Sequence, residues 1–130
     1  MGFTYIDVNV FSIDYMEWSD SDSADAARTG SDCRCAQRRI DALTALNTDT
    51  IVHHLQFQLV DPGDSNLDWF TVTVPIGAGL TAPLYDAIPA TLQAKAGGIV
   101  IPRDWNIRCL LRETISSGKE VRVIIQGGTK

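Results

Sequence analysis

Short stretches in which apolar and polar residues alternate recur along this chain, and no long amphipathic helix separates them. That pattern limits the fold more than any other feature. In "TIVHHLQFQLVDP", Leu55, Phe57 and Leu59 fall on one side of an extended chain and His54, Gln56 and Gln58 on the other. Period-two alternation marks a half-buried strand. "LDWFTVTVP" repeats it, with Phe70, Val72 and Val74 opposite Trp69, Thr71 and Thr73 before Pro75 stops the ladder. "RDWNIRCLLRETI" sets Trp105, Ile107, Cys109 and Leu111 on one face, and "EVRVIIQGG" points Val121, Val123 and Ile125 inward. "GIVIP" is a short strand ending at Pro102. The opening "FTYIDVNVFSIDY" is β-prone, and its switch of parity predicts a bulge near Val10.

The rest of the chain punctuates these strands. "DPGDSN" and "SSGK" are turns. In "RRIDALTALNTDT", Ile40, Leu43 and Leu46 have helical spacing, and a strand there needs a parity slip near Leu43. The turn at Asn47–Thr50 and the strand after it favour a hairpin. "IGAGLTAPLYDAIPATLQAKAGG" is a long connection with one or two helical turns over Ala87–Lys95. About seven short strands with turn signals between them predict an all-β, antiparallel β-sandwich. A jelly roll is one option among the Greek-key sandwiches. The 130 residues are expected to form a single domain, 1–130, with Phe57, Leu59, Phe70, Val72, Trp105, Ile107, Val123 and Ile125 in its core.

Charge is unevenly placed. Of a net charge of −5, residues 1–32 hold seven acids and one base, Arg28, whereas residues 33–130 hold nine acids and ten bases. Ser19–Asp32, "SDSDSADAARTGSD", has almost no large apolar group and is expected to be an exposed acidic loop. A helical turn at Ala24–Arg28 is the alternative. An acidic balance argues against a nucleic-acid partner, whose phosphates need a basic stripe. Arg34, Arg38 and Arg39 form one short basic cluster. No apolar run approaches the roughly 20 residues that cross a bilayer, and "MGFTYIDVNV" has neither a signal peptide's pattern nor, with Ile6 at the sixth position, that of a myristoylation site.

A search for chemistry finds little. His53 and His54 are adjacent in a strand, so they point to opposite faces and do not converge on one ion. One half-buried and one solvated imidazole is the expectation; a lone His54 ligand completed by another strand is the alternative. Cys33 and Cys35 form a single C-x-C with no second pair at zinc spacing, and Cys109 resembles a small buried hydrophobe. "GAGLTA" matches a dinucleotide fingerprint in letters only, because Pro75 and Pro83 bracket it where a helix would have to start. Asp61, Asp64 and Asp68 offer oxygen ligands to calcium but serve equally as turn residues. There is no nucleophile elbow. Residues are therefore assigned neither to catalysis nor to a metal or cofactor, and the chain is expected not to be an enzyme.

From Arg39 onward the sequence resembles small β-sandwich proteins encoded by tailed bacteriophages. The likeness rests on "RIDALTALNTDTIVHHLQFQLVD", on "WFTVTVPIGAGLTAPLYDAIP", and on "GGIVIPRDWNIRCLLRETISSGKEVRVIIQGG", covering roughly residues 39–128. Its parts are an N-T-D turn before an alternating strand, a V-P-x-G-A-G segment, and a closing S-G-K turn and strand with a glycine pair. The resemblance implies a structural part of a virion, most simply a capsid decoration or cement protein that works as a homo-oligomer. It also implies contacts with the major capsid protein or with neck or tail proteins, with synthesis in the host bacterial cytoplasm. A carbohydrate- or receptor-binding module of a tail or fibre appendage is the other expectation, with Trp18, Trp69 and Trp105 as candidate aromatics. The interaction residues singled out are Asp20, Asp22 and Asp25 of the acidic segment, Trp18 beside it, and the basic Arg34, Arg38 and Arg39. The first strand and the acidic loop together are expected to act as an arm, the strand docking on a sheet edge and the loop on a basic surface of a neighbouring subunit.

Overall fold

Alternation becomes strand wherever it falls within residues 12–30, 37–89 and 99–129, which the computed structural model describes. The strands there are β1 (Ser12–Ser19), β2 (Ala26–Thr29), β3 (Arg38–Asn47), β4 (His53–Val60), β5 (Asn66–Val74), β6 (Tyr85–Asp86), β7 (Ile99–Ile101), β8 (Asn106–Leu111) and β9 (Glu120–Thr129). They form two antiparallel sheets that pack face to face. One runs β1-β9-β3-β6, with β7 also paired to β3; the other runs β2-β8-β4-β5. This is the strand order of a jelly roll in which β6 and β7 share one edge of β3, at its end and its start respectively. No helix among the described residues is long and apolar enough to cross a membrane.

Burial follows the alternation. Phe57, Val72, Ile107, Val123 and Ile125 are buried, as are Leu55, Val74, Cys109, Leu111 and Val121. Leu59, Phe70 and Trp105 are only half-buried and pack against that core from its margin. Phe57 stacks on Phe70 across β4 and β5 with ring centroids 4.8 Å apart, and Trp69 meets Phe70 edge-on.

The expected hairpin from β3 to β4 is not formed. β3 pairs with β9, β6 and β7, and β4 pairs with β5 and β8, so the turn between them carries the chain across the sandwich. A turn sequence specifies a reversal, but not which sheet the next strand joins. The parity slip does occur, as a β-bulge between Ile40 and Ala42. It lets Ile40, Leu43, Ala45 and Asn47 all face inward, so the helical spacing of Ile40 and Leu43 is a strand with a slip, and Leu46 falls on the other parity, half-buried. Gly127 lies opposite this bulge. A Cβ there would come within 1.8 Å of the Arg39 carbonyl oxygen, so the backbones meet at a distance that only glycine allows.

The described part of the acidic segment, residues 19–30, is also more than an exposed loop. Ala26–Thr29 adds to β8 as β2, so the helical turn at Ala24–Arg28 is replaced by a strand. Alanine and threonine are small enough to lie on a sheet edge, and tertiary pairing decides the outcome where local propensity is weak. The expected bulge near Val10 lies outside the described residues; of the helical turns expected over Ala87–Lys95, Ala87–Pro89 is not helical and the remainder lies outside the described residues.

Phe57 has no exposed surface, whereas Gln58 beside it is half-buried and polar. Phe57→Ala is expected to cost about 3–5 kcal/mol and Gln58→Ala no more than about 1 kcal/mol. Denaturant titration of both variants checks the parity of β4; equal losses would contradict it.

Candidate functional site

Asn47, Thr48 and Asp49 follow one another, and each ties the β3–β4 turn to a different part of the molecule. Asn47 is fully buried. Its Nδ2 lies within hydrogen-bonding distance of the carbonyls of Ile51 (3.0 Å), Val74 (3.3 Å) and Pro75 (3.3 Å), and its backbone N–H donates to Ala78. The Thr48 hydroxyl accepts from the Glu120 N–H at 2.8 Å, and the Thr48 N–H donates to the Glu120 carbonyl. Asp49 accepts from its own neighbour Thr50, from Ser116 in the β8–β9 connection, and from His53 at the start of β4.

The Asp49–His53 pair is the most buried ionisable contact described. His53 Nε2 lies 2.8 Å from Asp49 Oδ2, and neither side chain has exposed surface. Burial works against ionising Asp49, but hydrogen bonds from His53, Ser116 and Thr50 outweigh it and hold the carboxyl well below its usual range. On the other side of the ring, His53 Nδ1 lies 3.3 Å from Glu113 Oε1 without the alignment of a hydrogen bond. Glu113 also accepts from the His54 backbone N–H at 2.9 Å and makes a close contact with His54 Nδ1. Burial raises the Glu113 carboxyl, but these bonds and the two imidazoles bring it below its ordinary value.

The histidines do point to opposite faces, His53 buried and His54 half exposed. They nevertheless converge on one carboxylate, because Glu113 sits at the end of the sandwich where both faces can be reached. Among the described residues no group of three or more His, Cys, Asp or Glu side chains is placed to hold a metal ion. His53 is walled off from solvent and already engaged, so it has no approach for a substrate. The Cys109 thiol is buried, and burial pushes its ionisation up, away from the nucleophilic form. Chemically, the cluster is a cross-brace. It joins the β3–β4 turn, the start of β4, the residues just after β8 and the β8–β9 connection.

The residues singled out from sequence are dispersed. Trp18 is not a surface aromatic: it is 1% exposed, and its Nε1 donates to the Ala26 carbonyl, tying β1 to β2 across one lateral edge. Arg28 reinforces that edge by donating to the Glu17 carbonyl and pairing with Asp22 at 2.6 Å. Asp22 caps the turn at Ser19, whose N–H, with Arg28, lowers its carboxyl. Asp20 accepts from the Gly118 N–H and Asp25 pairs with Arg112, so all three acids have partners within the chain. Arg38 donates to Asn106 Oδ1 and makes a close contact with the Trp105 carbonyl; Arg39 pairs with Asp41. Arg34 lies outside the described residues. Asp61 accepts from the N–H groups of Gly63 and Ser65 and so serves the hairpin turn.

"GAGLTA" is a tight loop rather than a helix start. Gly77 and Gly79 have φ of 76° and 79°, where a side chain would be strained. The Gly77 carbonyl accepts from Leu80, Thr81 and Ala82, while Ala78 is buried. This folded loop turns Ile76 (53% exposed), Leu80 (63%) and Leu84 (43%) outward. The Asn47 clamp holds it beside the turn that exposes Ile51 and Val52. Two rigid loops thus display five large apolar side chains at one end of the sandwich. Exposed apolar groups on a fixed frame are characteristic of a contact surface for another protein. The sequence reading missed this surface because the loop's letters gave no sign of which side chains would face out.

Two outcomes test the cross-brace. Asp49→Ala, which strands a buried imidazole, is expected to cost roughly 3–5 kcal/mol. His54→Gln, at the exposed end, is expected to cost less than about 1 kcal/mol and to leave folding intact. Both folded carboxyls lie below their unfolded values of roughly 4. Their contribution is therefore complete above that pH and is lost as pH falls through the folded values. Unfolding curves should show stability falling below about pH 4, with a shallower fall in Asp49→Asn. An unchanged acid limb in that variant would contradict the assignment.

Comparison of the chain with protein-family models, with curated proteins and with solved structures finds no match in any of the three.

Proposed function

We propose that this protein is a structural component of a tailed-bacteriophage virion, a decoration or cement protein of the capsid. It is made in the host bacterial cytoplasm and acts as a homo-oligomer through protein contacts, without catalysis. The observation that carries this reading is the set of exposed apolar side chains Ile51, Val52, Ile76, Leu80 and Leu84 on the two loops joined by Asn47. The turn segments behind the resemblance support it. The N-T-D turn clamps the two apolar loops, the V-P-x-G-A-G segment is one of those loops, and Gly127 of the closing glycine pair admits the close approach of β9 to β3.

The acids of the 19–32 segment support an attachment role less well, because Asp20, Asp22 and Asp25 are engaged within the chain. One feature favours the second reading, a carbohydrate- or receptor-binding module. A groove of about 460 Å³ runs between β5 and the Tyr85–Pro89 segment, where Tyr85 and Asp86 lie near Thr71 and Thr73.

Quantitative mass spectrometry of purified particles separates the two. A capsid decoration protein is expected at a copy number set by the capsid's symmetry, and a tail appendage at a small one. Absence from purified particles would overturn both. For the decoration protein, Leu80→Asp is expected to weaken binding to particles lacking the protein about tenfold or more, with the fold unchanged.

A further inference from the structure

The two lateral edges of the sandwich differ. At one, β1 and β2 are joined by Trp18 and Arg28. At the other, β5 ends its sheet, and among the described residues no strand pairs with its outer side. Edge strands are usually guarded by charge, proline or a bulge, because their unpaired N–H and C=O groups template another strand. β5 has such guards only near its start, where Asp68 and a bulge opposite Phe57 and Gln58 interrupt the ladder. From Phe70 to Val74 it is regular, without charge or proline. Beside it lies the groove bounded by Thr71, Thr73 and Tyr85–Pro89.

We propose that this edge is the self-association surface, and that β5 of a second copy pairs with it antiparallel about a twofold axis through Val72. The proposal rests on the homo-oligomer reading above and specifies its contact. Charge favours a second copy as the occupant. Each chain carries a net charge of −5, yet residues 69–85 contain no charged side chain, the longest such stretch in the sequence. Two like-charged copies meet along the strand itself with the least repulsion; Asp86, on the other wall of the groove, is its one charged lining residue. Symmetry favours it as well. Antiparallel pairing of a strand with itself is isologous, so one surface supplies both halves of the contact. The axis at the middle of Phe70–Val74 sets Thr71 opposite the partner's Thr73, a favourable cross-strand pair. It also joins the two β5-containing sheets into one of eight strands and brings the two Tyr85–Pro89 segments toward each other. The apolar end loops remain available for the virion.

Analytical ultracentrifugation at high micromolar concentration tests this with the full chain and with Thr71→Lys/Thr73→Lys. Both threonines are exposed, so the lysines load the edge with charge without touching the core. The wild type is expected to contain a dimer unit. The variant is expected to raise its dissociation constant by roughly a hundredfold or more, while matching the wild-type unfolding midpoint at dilutions where both are monomeric. A monomeric wild type, or a variant that dimerises normally, overturns the proposal. Should the variant fail to fold, amide exchange of the wild type decides. Protection of Phe70–Val74 that grows with concentration supports the pairing, and protection independent of concentration overturns it. A monomer that is still found in purified particles overturns the twofold contact alone and leaves the virion reading standing.

Discussion

The β3–β4 turn is the constraint on which the rest of the molecule depends. Three consecutive polar side chains, Asn47, Thr48 and Asp49, are drawn into the end of the sandwich, and each satisfies backbone groups of a different segment. Buried polar groups are costly unless paired, so the turn can be buried only when the β5–β6 loop, the start of β9 and the β8–β9 connection are all in place. The contacts are therefore cooperative, and one short turn coordinates both sheets.

The Asp49–His53 pair extends that logic to an ionisable side chain. A buried hydrogen-bonded pair gains little net stability over well-packed apolar groups, but losing one partner leaves the other buried and unsatisfied, which is expensive. Its contribution is specificity. A β4 shifted by one residue would carry His53 to the exposed face and leave the Asp49 carboxylate buried without it. His53 has the buried imidazole and acidic partner of a catalytic relay, yet neither side chain has exposed surface through which a substrate could reach it. Its chemistry is spent on holding the register of β4 against the turn.

The surface divides along the same lines. Charged residues on the closed lateral edge and in the acidic segment pair within the chain, as Arg28 with Asp22 and Arg112 with Asp25. The long uncharged stretch from Trp69 to Tyr85 instead contributes a strand edge and a rigid apolar loop. For an acidic protein, an uncharged area is where another protein can approach with the smallest desolvation and repulsion cost.

Strand positions and inward faces were legible because alternation is a local property of the chain: the parity of β4, β5, β8 and β9 follows from Phe57, Val72, Ile107 and Val123 alone. The turn formers at "DPGDSN" and "SSGK" marked where the chain reverses. Sheet membership was not legible. "NTDT" announces a turn whether the next strand pairs beside β3 or crosses the sandwich, and "AART" becomes strand only because β8 offers an edge. The site was least legible. Trp18 looks like a surface aromatic until β1 and β2 enclose it. Glu113 is one acid among many until folding brings it to both histidines, 59 residues away from His54. By itself the sequence determined which residues alternate and where the chain turns, because those depend on neighbours along the chain. Only the tertiary structure decided which strands pair, which polar groups are buried together and which apolar groups stay exposed, because burial depends on contacts between residues far apart in sequence.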